Sequence, residues 1–304
     1  MKKTMISLAF AALLILGGGI LFVSTMATLH WDFEALSTIQ YETNTYVITE
    51  DFHNITINSD TADILFLPSY DGSCRVVCDE ERDTKYNVAV EDDSLIIKLV
   101  SDKSISNYIR NIGINLHTPK LAVYLPKAEY KHLTIQEDTG DIRLPADFHF
   151  ESMELSLHTG DVACFASVSE QMKIKTTTGH ICAEKVSADM LDLTVSTGNV
   201  RLDNVRCNAL QTTGSTGDIL LKNVIAVDTI SIRRSTGDVR FDASDAAAIS
   251  VETDTGDVTG TLLTDKVFTT HTSTGEVEVP QNTTGGRCEI TTSTGDIQIT
   301  IQIL

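Results

Sequence analysis

Proline is scarce in this chain, 5 residues in 304, and aromatic side chains make up 6%, with a single tryptophan. A composition of 42% hydrophobic residues excludes a disordered chain, and 18 glycines without a three-residue period exclude collagen. Basic residues are short as well: 23 Lys+Arg face 42 Asp+Glu, a formal net charge of −19. Such a chain repels phosphate, which argues against nucleic acid and anionic lipid headgroups as partners. Six cysteines in this length are too few for a disulfide scaffold, and no CxxC metal pair occurs. No GxSxG, P-loop or HExxH sequence is present either. What is left is a large acidic globular chain, one big domain or two ordinary ones, with no reaction written into a motif.

The amino terminus carries a membrane signal. After Met1-Lys2-Lys3 no formal charge occurs from Thr4 to Trp31, and the apolar heart runs over residues 6–27. As a helix this stretch reaches roughly 33 Å, against a hydrocarbon core of about 30 Å. Secretory signals have shorter apolar regions of about 7–15 residues, although Thr25-Met26-Ala27 offers a weak cleavage site. A single uncleaved span over residues 1–31 is therefore expected, with a cleaved signal and a buried core helix as alternatives. Lys2 and Lys3 favour a cytoplasmic amino terminus, which puts residues 32–304 outside the cell, or in the medium if cleavage occurs.

The rest of the chain is dominated by a repeat. From residue 139 the pair Thr-Gly recurs with its glycine at Gly140, Gly160, Gly179, Gly198, Gly217, Gly237, Gly256, Gly275 and Gly295, at intervals of 19 or 20. Two residues after each glycine stands Ile or Val, from Ile142 to Ile297 without exception, and a second mostly apolar residue follows at four. Apolar residues also recur seven and five places before it, as in Leu133 and Ile135 or Met153 and Leu155. This is strand, Thr-Gly turn, strand and connector, with period-two alternation marking half-buried strands. A unit so short leaves no room for a crossover helix. The economical fold stacks each repeat on the next: an all-β parallel solenoid of nine to eleven coils, with its glycines at corners that need positive φ. An up-and-down barrel or sandwich would instead need alternating hairpin turns.

Residues 32–130 are less regular. Asn54 to Leu67 is a degenerate repeat with Ala62 in the glycine's place, and the runs Tyr86–Val90, Leu95–Val100 and Leu121–Leu125 read as further strands. The segment is expected to form a hairpin-rich cap leading into the coils of residues 131–304. The run Leu121-Ala-Val-Tyr-Leu-Pro126, then Leu133-Thr-Ile135, then serial Thr-Gly-Asp-Ile/Val turns resembles the bacterial adhesin-like family known as domain of unknown function 4097, over roughly residues 50–304. The resemblance implies a β-solenoid behind an amino-terminal membrane segment. It implies no catalytic residue.

Few residues could carry chemistry. The position after each corner glycine holds Asp141, Asp161, His180, Asn199, Asp218, Asp238, Asp257, Glu276 and Asp296. Stacking would place neighbours about 5 Å apart, which raises the question of a calcium ladder. One carboxylate per coil leaves each such site short of ligands, and aspartate suits turns without any ion. Cys74 and Cys78 are too far apart on one strand to bridge. Cys164 and Cys288 are expected inside, Cys182 outside and Cys207 in a connector, mostly as free thiols. His158 and His180 flank successive turns in solvent. Flat threonine rows such as Thr176–Thr178 and Thr291–Thr292 would suit a crystal-binding face, but Arg233 and Arg234 interrupt them. No catalytic, cofactor-binding or metal-binding residue is assigned. The expected function is that of a non-enzymatic, membrane-anchored surface protein, an adhesin or envelope-interaction protein with an unknown surface protein or glycan as ligand. A polysaccharide lyase or hydrolase is the alternative, because such enzymes also use solenoids.

Overall fold

The computed structural model describes residues 2–32, 41–101 and 118–302. Residues 33–40 and 102–117 of the expected cap thus lie outside the described residues. Among the described residues one helix, Lys2–Thr28, precedes a single connected system of strands. The solenoid expected from the repeat is the fold.

Each coil joins a long strand, ending at the threonine of the Thr-Gly pair, to a short strand beginning two residues after the glycine. His149–Thr159 with Val162–Cys164 is one example and Ser187–Thr197 with Val200–Asp203 another. Seven coils, from residues 129–144 to 248–262, stack in chain order with parallel pairing. Leu133, Met153, Met172, Leu191, Leu210, Ile230 and Ile249 form one continuous column. The extra residue in the interval between Gly217 and Gly237 is absorbed by a bulge in Ile225–Thr236, opposite the stretch from Cys207 to Ala209. Along each strand alternate side chains are sealed in: Met153, Leu155 and Leu157 are at most 2% exposed. At about 1.5–3 kcal/mol per large apolar side chain, these merged columns are the main term opposing chain entropy.

The corner glycines do what the repeat implies. Gly198 has φ +139°, and a Cβ there would lie 1.9 Å from the carbonyl oxygen of Gly179 on the coil before. Both the backbone angle and the contact exclude any other residue. Ala62, at the corresponding corner of the degenerate repeat, is not among the positive-φ residues and so accepts its methyl group. A second corner went unread in the sequence: Lys185, Asn204, Asn223 and Ala243 occupy the left-handed region there, φ 50–56°.

Chain order fails at both ends of the stack. Strands Asn54–Asn58 and Asp63–Pro68 sit directly on the coil of residues 129–144, and outside them lies a rung made later in the chain, Ser94–Ser101 and Lys120–Leu125. At the other end, Gly286–Thr294 and Ile297–Ile301 insert between the coil of residues 248–262 and that of Lys266–Thr274 and Val277–Glu278. The expectation that every repeat stacks on its predecessor is corrected here. About eight turns are regular, slightly fewer than nine to eleven, because the rungs at the two ends are assembled differently. Val277, expected inside with the rest of its column, is 46% exposed because its rung is outermost.

The ends are also closed differently. Antiparallel strands cover the first: Thr84–Glu91 pairs with Ser94–Ser101, and Cys74–Glu81, itself paired with Tyr41–Ile48, covers Lys120–Leu125. Aromatic contacts reinforce this end, Phe52 on Tyr130 at 6.0 Å and Tyr130 on Phe150 at 5.8 Å between centroids. At the second end a buried ion pair crosses the inserted rung. Lys266, 1% exposed, reaches over Gly286 to place its Nζ 2.5 Å from Asp245 Oδ1.

Candidate functional site

The acidic column after the corner glycines is a ladder of hydrogen bonds between coils. The backbone N–H of Asp161 donates to Asp141 Oδ1 at 2.8 Å, that of Asp238 to Asp218 Oδ1 at 3.0 Å, and that of Asp257 to Asp238 Oδ1 at 2.9 Å. Asn199 and His180 serve in the same way: the N–H of Asp218 donates to Asn199 Oδ1 and that of Asn199 to His180 Nδ1. Because a backbone N–H can only donate, His180 accepts through an unprotonated Nδ1. The side chains bind the next coil rather than gathering around one point, and among the described residues no group of three His, Cys, Asp or Glu is placed to hold a metal ion.

The other singled-out residues are dispersed. His158 lies 3.5 Å from Asp138 and does not meet His180. All six cysteines are free. Burial pushes the thiols of Cys74, Cys78, Cys164 and Cys288 up to about 12 and that of Cys207 to about 11, leaving little reactive thiolate. Cys207 is in strand Arg206–Thr216 and buried, not in a connector. The threonine rows are not a flat outer face, since Thr176 and Thr292 are wholly buried and bond the corner carbonyls of Gly160 and Gly256. Arg234 is inside too, 2% exposed. Its guanidinium fills the space above Gly214 and donates to the Val195 carbonyl at 2.7 Å, and burial lowers its pKa.

These buried residues expose what the repeat reading missed, an inward column three places before each corner glycine. It runs Glu137, Leu157, Thr176, Val195, Gly214 and Arg234 before returning to threonine at Thr253. A glutamate in an inward column is the signal that was available in the sequence. A cleft of about 470 Å³ where the first coils meet has Glu137 among its lining residues, between the outward-facing Asn58 and Asp60, Gln136 and Asp138, and Ser156 and His158 on three successive rungs, while the Glu137 side chain itself is turned inward. Glu137 is 4% exposed, its Oε1 accepts the Ala62 N–H at 3.1 Å, and its Oε2 is buried without a partner. Burial pushes this carboxyl up to about 8, against the lowering effect of the Ser59 hydroxyl and the Ala62 N–H, while the charge of Asp60 adds to the rise. Ser59, at its side, is held by Tyr86, hydroxyl to hydroxyl, at 2.7 Å. A separate, smaller cleft of about 200 Å³ shares Asp60 and Leu99 among its lining residues and includes Tyr41 and Tyr86. A separate hollow of about 400 Å³ lies among Leu67, Tyr70, Asp71, Arg75 and Tyr124. There Asp71 accepts from the hydroxyls of Ser69 and Ser73, and Arg75 lies over the Tyr124 ring at 5.0 Å with its Nε buried and unpartnered.

The profile of the family described as Toastrack DUF4097 matches residues 52–300, most of the chain and nearly all of the solenoid. The chain belongs to the Toastrack DUF4097 family. Among solved structures, "a putative adhesin" from Parabacteroides merdae is 10% identical, with 86% of this chain and 96% of the other covered and a TM-score of 0.52. A second protein of that name, from Bacteroides fragilis, is 16% identical over 86% and 97%, with a TM-score of 0.49. At such identities the first likeness speaks for the fold alone. No curated protein matches the chain. Seen as a member of Toastrack DUF4097, the protein has its candidate cleft inside the matched region, at the junction of the first rungs.

Proposed function

We propose that this Toastrack DUF4097 protein is a non-enzymatic surface-binding protein, held in the membrane by its amino-terminal helix and presenting the solenoid outside the cell. The observation that carries the reading is the helix itself. Phe10–Thr28 has a mean hydropathy of 2.1, and Leu13, Ile15, Leu16 and Ile20 are 68–75% exposed, with nothing of the solenoid packed on them. A long apolar helix left bare needs a hydrocarbon environment. Lys2 and Lys3 favour an inward amino terminus, and the acidic remainder suits an aqueous exterior. The names given to proteins of this fold, adhesin among them, accord with binding at a surface.

The test is protease treatment of intact cells: epitopes beyond Asp32 are digested while the helix stays with the membrane fraction. Protection of those epitopes would refute the orientation, and recovery of the chain in the medium from about Thr28 would replace the anchor by a cleaved signal. A polysaccharide lyase or hydrolase draws support only from the raised pKa of Glu137. Incubation with polysaccharides decides that alternative, and release of new reducing ends would establish it.

A further inference from the structure

The rung of Lys266–Thr274 and Val277–Glu278 is the outermost of the second end and pairs on one side only. Below it the corner repeats three hydrogen bonds. The N–H of Gly295 donates to the Thr274 carbonyl and that of Ile297 to the Glu276 carbonyl, both at 2.9 Å, and Asp296 Oδ1 accepts the Glu276 N–H at 2.8 Å. On the outermost rung Gly275, Val277 and the Glu276 carboxylate hold the same positions, exposed and with no rung beyond them among the described residues. The inward columns are uncovered as well. Ile249 and Cys288 are at most 1% exposed where Phe268 is half-buried, and Val258 and Ile297 are sealed where Val277 is exposed. We propose that this open edge pairs antiparallel, tip to tip, with the same edge of a second copy of the chain and, resting on the surface-binding reading, that the two copies stand on facing membranes.

An unpaired strand edge presents N–H and C=O groups together, so turned through a two-fold axis it complements itself. Charge favours the match. Val267–Thr274 holds eight residues without a formal charge or a proline, in a chain of net −19 whose copies otherwise repel. By contrast Tyr41–Ile48, also paired on one side, is blunted by Glu42. Antiparallel strands already close the first end, so association stops at two copies instead of growing into a filament. The helix joins the stack through Tyr41–Ile48, at that closed end, which leaves the open rung farthest from the anchor. Rods related by a two-fold axis across their tips point in opposite directions, as copies on two facing membranes do. Copies upright in one membrane point the same way and keep these edges apart.

The test uses the full chain in lipid nanodiscs carrying one copy each, so that helices cannot meet in one bilayer. Association is followed by analytical ultracentrifugation and the particles are viewed by electron microscopy. Discs should pair at micromolar protein, joined at the end remote from the lipid. Val267→Lys/Thr269→Lys, both exposed on the edge strand, should weaken pairing by about tenfold or more. Val277→Asp should do the same, because pairing would bury its charge, and melting is checked for each. The proposal is overturned if discs stay single at millimolar protein, even where the edge takes a strand of another protein. Growth into chains, pairs joined through another surface, or variants that pair like the parent overturn it equally. Protease digestion of intact cells reads the orientation separately. Single discs would leave the surface assignment standing, whereas paired discs with epitopes protected on cells would remove the facing membranes and keep the edge.

Discussion

The middle of the solenoid and its two ends are built by different rules. From residue 129 to 262 a single device recurs, a glycine corner whose missing Cβ lets one coil lie on the next, and rung order follows chain order. At the ends the same corner is present, as at Gly275 and Gly295, yet the order reverses. The repeat therefore fixes how rungs pair without fixing which rungs pair. That choice falls to single residues outside the repeat, such as Lys266 and Asp245.

The sharpest way to break the middle is Gly198→Ala. The methyl group meets the Gly179 carbonyl at 1.9 Å in a backbone region closed to alanine, so a loss of about 4 kcal/mol or failure to fold is expected in thermal melting. The end should fail differently. Lys266→Met strands the buried Asp245 and should cost about 3–5 kcal/mol, with hydrogen exchange rising over residues 266–301 while the coils near residue 180 stay protected. A pairing of Lys266→Met with Asp245→Leu should recover most of that loss, since no charge is then left alone. Uniform loss of protection along the rod would erase the distinction between end and middle.

The junction near the first end should show itself by pH. The folded-state pKa of Glu137 is raised from an ordinary 4.5 to about 8, so the native state holds a proton that the unfolded chain has released. Stability from this group is greatest below about pH 4.5, declines as pH rises and levels off above about 8. Glu137→Gln should remove that decline, raising stability at pH 9 relative to the parent by a few kcal/mol (roughly), with little change near pH 5. The smallest effect belongs to the acidic ladder. Asp218→Asn keeps an acceptor for the Asp238 N–H and should change stability by under about 0.5 kcal/mol, whereas Asp218→Ala should cost about 1 kcal/mol. Calcium at matched ionic strength should leave both melting curves where they were.

Much of the middle is legible in the sequence because periodicity is a property of many residues at once. Nine glycines at 19–20-residue intervals and β-branched residues two places on define corner, strand and inward face together. Rung order is not legible, since Val258 would pair equally well with Val277 or Ile297, and the structure selects Ile297. The cleft was hidden for a related reason. Ser59, Tyr86 and Glu137 are far apart in the chain, and Glu137 betrays itself only once its column is aligned with Leu157 and Val195. The inward guanidinium of Arg234 was misread as a surface group because the empty space it fills belongs to Gly214, one coil away.

Tension gives the tucked ends a consequence. A strand at the free edge of a ladder peels away bond by bond when its end is pulled. Here the chain leaves the last short strand, Ile297–Ile301, between Val258–Leu262 on one side and Val277–Glu278 on the other. At the opposite end, the segment that enters from Tyr41–Ile48 passes into Asn54–Asn58, which is likewise held on both sides. A pull on the second end therefore loads two ladders at once and must shear the rod, whereas a pull on the first peels Tyr41–Ile48 from its single partner Cys74–Glu81 before it meets two ladders at Asn54–Asn58.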